Sequence, residues 1–264
     1  MARALILSSH VAASSVGASA QALALAALGI EPVVVPTVLF GRHPGWGAPG
    51  GGPVPREEFA GMLEGIAAQG LGFDLVLTGY FASTEQVRLA ARCCSNARVV
   101  VDPIMGDRDK GLYVRADVAE AIQHELIALA DVVAPNAWEL ERLTGVRVDG
   151  PTGAVEAARK LGKPTLVSSI DCGDEIGVVY AEPNGAWLTS HRRLDGVPNG
   201  TGDLLTALFA AALLDDLTPA DRLARVVGGV ASVVEAANKS GASELPIVGA
   251  ALKAGAPARI EKIA

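Results

Sequence analysis

Pro198-Asn199-Gly200-Thr201-Gly202-Asp203 runs directly into the apolar stretch Leu204-Leu205-Thr206-Ala207-Leu208-Phe209-Ala210-Ala211-Ala212-Leu213-Leu214. Two glycines around Thr201 allow a sharp turn that aims backbone N–H groups outward, and the helix that the apolar stretch predicts adds its positive N-terminal end. Such a place attracts phosphate. A carboxylate at the same place repels phosphate, so Asp203 points to a second role, and accepting a proton is the one that suits it.

Upstream of this loop, short strand-like runs alternate with helical patterns. Strands are predicted at residues 4–7, 33–38, 75–78, 98–101, 132–134 and 165–167, and helices near 14–28, 56–69, 84–95, 118–129, 137–144 and 153–161. Alternation of this kind argues for a parallel sheet covered by helices. Residues 176–180 and 186–189, joined across a Pro-Asn-Gly turn, read instead as an antiparallel hairpin at the sheet edge. Beyond the glycine loop the pattern is helical over 203–214 and 219–238, with a shorter element near 246–253. No repeat or long linker interrupts the chain, so residues 1–264 are expected to form one domain. Residues 45–53, Gly-Trp-Gly-Ala-Pro-Gly-Gly-Gly-Pro, are expected to lack regular structure, either as a surface connection or as a flap over a ligand.

The composition fits this reading. Half of the residues are hydrophobic but only 4% are aromatic, as when small side chains pack helices closely onto a sheet. A net charge of −7 lacks the footprint of a nucleic-acid or anionic-membrane binder and favours a small-molecule partner. Three cysteines, two of them adjacent at Cys93 and Cys94, make neither a disulfide framework nor a zinc spacing, which suits a reducing cytoplasm. The apolar run at residues 22–30 is too short to span a membrane, and neither secretion nor membrane insertion is expected.

Two acids stand where a parallel sheet presents ligands. Asp102 follows Val99-Val100-Val101, and Glu139 follows Ala134-Pro135-Asn136 after another buried strand. Each has a plain structural reading, as a turn residue and a first-turn helix acid. Together with an anion loop they become candidates to hold Mg2+, which takes carboxylate oxygens, waters and substrate phosphates.

These residues carry a resemblance. Ser9-His10-Val11, Val16-Gly17, Thr37-Val38-Leu39-Phe40 running into His43, Gly79-Tyr80, Asp102-Pro103-Ile104-Met105-Gly106 with Lys110-Gly111, Ala134-Pro135-Asn136 with Glu139, and Gly200-Thr201-Gly202-Asp203 occur in order over nearly the whole chain. In these motifs the chain resembles the ribokinase superfamily and, within it, the pyridoxal kinases. The resemblance implies a ribokinase-like three-layer α/β sandwich, a mostly parallel central sheet flanked by helices with an antiparallel edge hairpin. It implies ATP and pyridoxal as substrates, Mg2+ as cofactor with a monovalent cation as a further candidate, and a homodimer. Asp203 would be the general base toward the pyridoxal 5′-hydroxyl, with the amides of Gly200, Thr201 and Gly202 stabilising the transferring phosphoryl group. Asp102 and Glu139 would support Mg2+, directly or through water, and Asn136 and Ser168 would lie along the ATP phosphates. Ser9, Val16, His43 and Tyr80 would line the pyridoxal pocket.

The chain departs from that pattern at Pro44, where many members of the family have threonine, and at Trp46, where tyrosine is usual. Pro44 offers neither a hydroxyl nor a backbone N–H, so one substrate contact is missing. Two other readings follow from the same residues: a hydroxymethylpyrimidine kinase of thiamin synthesis, whose members typically carry cysteine where Asp203 stands, and a non-catalytic B6 carrier. Cys93 and Cys94 read as packing groups, Cys172 as a packing group or a nucleotide contact, and His10 as either a structural hydrogen-bonding residue or a catalytic one. Arg192 and Arg193 face either solvent or the ATP phosphates.

Overall fold

A computed structural model describes residues 1–250, 252 and 258–264. The chain opens with β1 (Arg3–Val11), whose residues divide between two cores, Ala4 and Ile6 on one face and Leu5 and Leu7 on the other. A strand apolar on both faces has to be covered on both. There follow α1 (Gly17–Ala27), β2 (Glu31–Phe40), β3 (Gly51–Pro53), α2 (Arg56–Ala68), β4 (Leu75–Thr78), α3 (Thr84–Ala91) and β5 (Arg98–Val101). A small hairpin of β6 (Gly106–Asp107) and β7 (Gly111–Leu112) leads to α4 (Ala116–Ala121), β8 (Val132–Val133), α5 (Ala137–Thr144) and α6 (Pro151–Leu161). The last elements are β9 (Thr165–Cys172), β10 (Glu175–Glu182), β11 (Gly185–Arg192), α7 (Thr201–Ala212), α8 (Pro219–Ser240) and β12 (Glu261–Lys262).

The main sheet runs β12-β11-β10-β9-β8-β5-β4-β1-β2-β3. Its centre, from β9 to β2, is parallel, while β10, β11 and β12 extend it antiparallel at one edge and β3 at the other. The expected edge hairpin is therefore the β10–β11 pair. The chain leaves β1 for β2 on one side and returns to β4 on the other, so the carboxyl ends of β1 and β4 diverge at a topological switch point, where α/β sheets bind ligands.

Helices α1, α7 and α8 bury Ala18, Ala20, Ala24, Leu25, Leu204, Leu208, Phe209, Val227 and Val230 against one face of the sheet. Phe59 of α2, Val87 of α3 and Val118 of α4, together with Leu140 of α5 and Ala157 of α6, cover the other face. α7 is buried from Leu204 to Ala212 without interruption, which is what a helix apolar all round requires. Pro32 and Pro36 are tolerated in β2 because that stretch has only β1 beside it; β3 pairs from Val38 on.

The structure changes a few expectations. Part of the segment at 45–53 is regular: Pro44–Trp46 forms a single 3-10 turn and Gly51–Pro53 is an edge strand on β2. Glycine makes this possible, since Gly51 has φ +85° and a Cβ there would collide with the Leu39 carbonyl. α3 stops at Ala91, short of residue 95, and the helix expected over 118–129 passes from α through π to 3-10 geometry. The element expected at 246–253 is irregular chain with a turn at 248–249 and another at 252, and 251 and 253 lie outside the described residues. Among the described residues no helix is long and apolar enough to cross a membrane.

Candidate active site

The glycine loop sits where β1 ends. Gly200 takes φ +96° and opens α7, which carries no side-chain cap. A Cβ at Gly200 would land on the Ser15 carbonyl oxygen, and one at Gly17 would land on Ser9 Oγ. Glycine is thus demanded at both positions by close backbone approach as well as by positive φ. The result joins pieces far apart in sequence: Ser9, the turn through Val16 and Gly17, and the first turn of α7 are packed together. Space is left open at Gly202, where a Cβ would meet nothing within 4 Å.

Asp203 lies at the centre of this junction. The residue is half-buried, yet its Oδ1 is fully enclosed and has no hydrogen-bond partner. Burial raises its pKa to about 6, opposed by the backbone N–H groups of Gly17 and of Asp203 itself. A carboxylate whose pKa is raised toward neutrality, and one of whose oxygens has no partner, is equipped to exchange a proton.

Asp102 emerges buried from the end of β5, and its Oδ2 accepts a hydrogen bond from Thr206 Oγ1 at 2.9 Å. Burial, the charge of Glu139 and the charge of Asp203 drive its pKa well above the usual carboxylate range, with the Thr206 bond pulling the other way. Glu139 is buried at the start of α5, where it forms a reciprocal capping box with Asn136: each side chain accepts the other's backbone N–H at 2.9 Å. Its other oxygen accepts the N–H groups of Met105 and Gly106 at 2.9 and 3.3 Å. Burial raises the Glu139 pKa to about 7 despite those three amides. Mutually repelling buried carboxylates fit a divalent cation, which would relieve the repulsion. Asp102 has an oxygen to offer directly, whereas Glu139 is already committed to three amides and suits contact through water. Among the described residues no group of three or more His, Cys, Asp or Glu side chains is placed to hold a metal unaided.

Asn136 Nδ2 donates to the Gly106 carbonyl at 2.8 Å, which fixes the Asp102-to-Gly106 turn to α5. Ser168 stands beside Asn136 through an isolated β-bridge, its N–H donating to the Pro135 carbonyl at 3.0 Å. The next residue, Ser169, has φ +59° where the β9–β10 register slips, a bulge of the kind that re-aims side chains beside a site. On the other flank, Tyr80 is half-buried, its N–H on Ser8 Oγ at 3.3 Å and its carbonyl on Thr37 Oγ1 at 2.7 Å. His43 Nδ1 accepts the Gly45 N–H at 3.1 Å, and burial followed by the nearby charge of Lys110 keeps its pKa below the ordinary value.

The sequence reading gave no role to Thr206 or Glu244, whose only signal is a position revealed by folding, and it quoted Lys110 within a motif without placing its charge near His43. It also missed a cavity of about 210 Å³ between the end of β11 and α8, lined by His191, Arg192, Leu194, Val234, Asn238 and Lys239. Arg192 and Arg193 line a second, open cleft together with Asp174 and Glu175. Cys93 and Cys94 are half-buried behind α3 with raised pKa values, as packing groups should be. His10 Nδ1 lies 3.2 Å from Ser19 Oγ, tying β1 to α1.

Comparison with known proteins adds independent findings. A family model described as phosphomethylpyrimidine kinase matches residues 13–247. A pyridoxine/pyridoxal/pyridoxamine kinase of Bordetella avium is 37% identical, over 78% of this chain and 75% of its own. The pyridoxal kinase PdxY of Rubrobacter xylanophilus is 36% identical over 93% and 91%. Among solved structures, the pyridoxal kinase of Entamoeba histolytica superposes with a TM-score of 0.91 at 26% identity, covering both chains entirely. That of Leishmania donovani in complex with ADP and pyridoxamine gives 0.91 at 25% identity, again over both full chains.

Proposed function

The chain belongs to the phosphomethylpyrimidine kinase family, with B6 kinases among its relatives, and from that premise we propose that it phosphorylates the 5′-hydroxyl of pyridoxal with ATP. The observation that carries the chemistry is Asp203 Oδ1, enclosed and without a partner at the uncapped start of α7. Asp203 takes the proton from the 5′-hydroxyl, whose oxygen attacks the γ-phosphorus as the bond to the ADP oxygen breaks. The amides of Gly200, Thr201 and Gly202 face the oxygens of the phosphoryl group in transit. Ser9, Val16, His43 and Tyr80 line the pyridoxal side. Asn136 and Ser168 lie along the phosphates, and the cavity at Leu194, Val234 and Asn238 takes the base of the nucleotide. Asp102 directly and Glu139 through water would hold Mg2+, which neutralises phosphate charge when bound. The whole chain acts as one catalytic domain, as a homodimer in the cytoplasm.

The hydroxymethylpyrimidine reading shares the fold and the family's name, but the aspartate at 203 and the B6 kinases among the relatives weigh against it. The test is phosphate transfer from MgATP, followed by the absorbance of the product aldehyde, with pyridoxine and hydroxymethylpyrimidine alongside and Asp203→Asn as control. Turnover on pyridoxal that vanishes in the variant is the expected result. Turnover on hydroxymethylpyrimidine alone overturns the substrate, and pyridoxal binding without turnover on any of them points to a carrier.

A further inference from the structure

We propose that Glu244 is a positioning residue that holds the turn between β1 and α1 against the glycine loop; the proposal rests on the kinase reading of that loop. Glu244 Oε2 accepts the N–H of Ser15 at 2.7 Å across 229 residues of sequence. Ser15 is a junction in its own right. Its carbonyl oxygen lies against Gly200, and two residues later Gly17 turns its N–H toward Asp203. The front of the same turn is already fixed, since Ala12 and Ala13 donate to the carbonyls of Phe40 and Gly41 at 2.9 and 3.1 Å. Glu244 fixes the back, where the turn meets the anion loop and the base.

The carboxylate is mounted firmly. Leu245 and Ile247, on either side of Pro246, are buried in the core under α1, α7 and α8. They anchor the segment just after α8, whose last turns carry Asn238 and Lys239 into the nucleotide-side cavity. An N–H on a carboxylate is roughly twice as strong as a neutral hydrogen bond. Glu244 thereby links the nucleotide-side helix to the turn that shapes the pyridoxal side. A displacement of about 1 Å at such a turn is enough to cost on the order of a hundredfold in rate.

The test compares Glu244→Ala and Glu244→Gln in two ways: amide hydrogen exchange of the peptide containing Ser15, and kcat and KM for pyridoxal and ATP. Glutamine keeps an oxygen that can accept the Ser15 N–H. Alanine is expected to speed exchange at Ser15 and to lower kcat/KM for pyridoxal about tenfold to a hundredfold, with glutamine restoring both to within about threefold of wild type. Should the alanine variant fail to fold, Glu244→Asp, which withdraws the carboxylate by one methylene, is read in its place. Unchanged exchange in the truncated variant overturns the proposal, and so does faster exchange with unchanged kcat/KM. Glutamine as impaired as alanine overturns it in favour of a purely electrostatic role. If the wild-type protein turns over no B6 vitamer, the kinase reading fails, while the exchange measurement still decides whether Glu244 holds the turn.

Discussion

Thr206 Oγ1 donates to Asp102 Oδ2 across 2.9 Å in a fully buried contact, so that the residue one helical turn beyond Asp203 grips the carboxylate at the end of β5. Positions three apart share a helix face, and α7 therefore presents its own acid and the clamp for a second acid side by side. Thr206→Val keeps the shape and removes the donor, leaving a buried carboxylate oxygen unpaired. A loss of about 1–3 kcal/mol in urea unfolding at pH 7 is expected, with Thr206→Ser retaining most of the stability. A valine variant as stable as wild type would show the contact to be dispensable.

Asp203 makes the fold pH-sensitive in a direction that can be worked out. Its native pKa of about 6 stands above the free value of 3.8, so the native protein keeps that proton to higher pH than the unfolded chain does. Its contribution to stability is full below about pH 4 and is lost as pH rises through about 6. Asp203→Asn should therefore be more stable than wild type at pH 7.5, by up to about 3 kcal/mol, with the difference closing toward pH 4. The same variant should lose about 10²- to 10⁴-fold in kcat, the contribution of a general base. Denaturant titrations at pH 4 and 7.5 check the first statement and steady-state kinetics the second.

The two glycines of the loop should not be equivalent. Gly200 has φ +96° and lies against the Ser15 carbonyl, whereas Gly202 is exposed with nothing within 4 Å of where a Cβ would be. Gly200→Ala combines backbone strain with a clash and should cost more than about 2 kcal/mol. Gly202→Ala should leave stability within about 0.5 kcal/mol and act on turnover alone, through the phosphate it would crowd. Equal melting temperatures for the two variants would contradict this geometry.

How much of this was legible in the sequence depends on the range of the interaction. Leu75–Thr78, Arg98–Val101 and Ala137–Thr144 appear with the boundaries that pattern alone predicts, because short apolar runs and the Asn136 cap are local signals. Asp102, Glu139 and Asp203 were legible as candidates because strand ends and helix starts can be read locally, and the fold brings them within reach of one another's charge. Two of the three amides that occupy Glu139 were not, since Met105 and Gly106 reach it only after β5 and β8 pair. Glu244 left no trace, for its partner lies 229 residues away. The edge strand at Gly51–Pro53 was hidden for the opposite reason: glycine and proline argue against a strand everywhere except at an edge with one neighbour.

His43 offers a test of the pyridoxal side in which two substitutions should act in opposite senses. Its Nδ1 accepts the Gly45 N–H, which leaves the ring proton on Nε2 and requires the neutral form. Burial and Lys110 hold its pKa below 6.5, and Glu244 opposes them. Removing the cation in Lys110→Ala should move the titration of the ring upward, and removing the anion in Glu244→Gln should move it downward, both followed by NMR of the imidazole protons. Because the folded pKa is depressed, this group's stabilisation is present above the ordinary 6.5 and is lost as pH falls through the native value. Protonation sets two donors, Nδ1–H and the Gly45 N–H, against each other, so KM for pyridoxal should rise on the acid side, while KM for ATP should not follow it. Lys110→Ala should shift that rise to higher pH along with the ring. A KM profile that stays in place while the imidazole titration moves would remove His43 from the pyridoxal pocket.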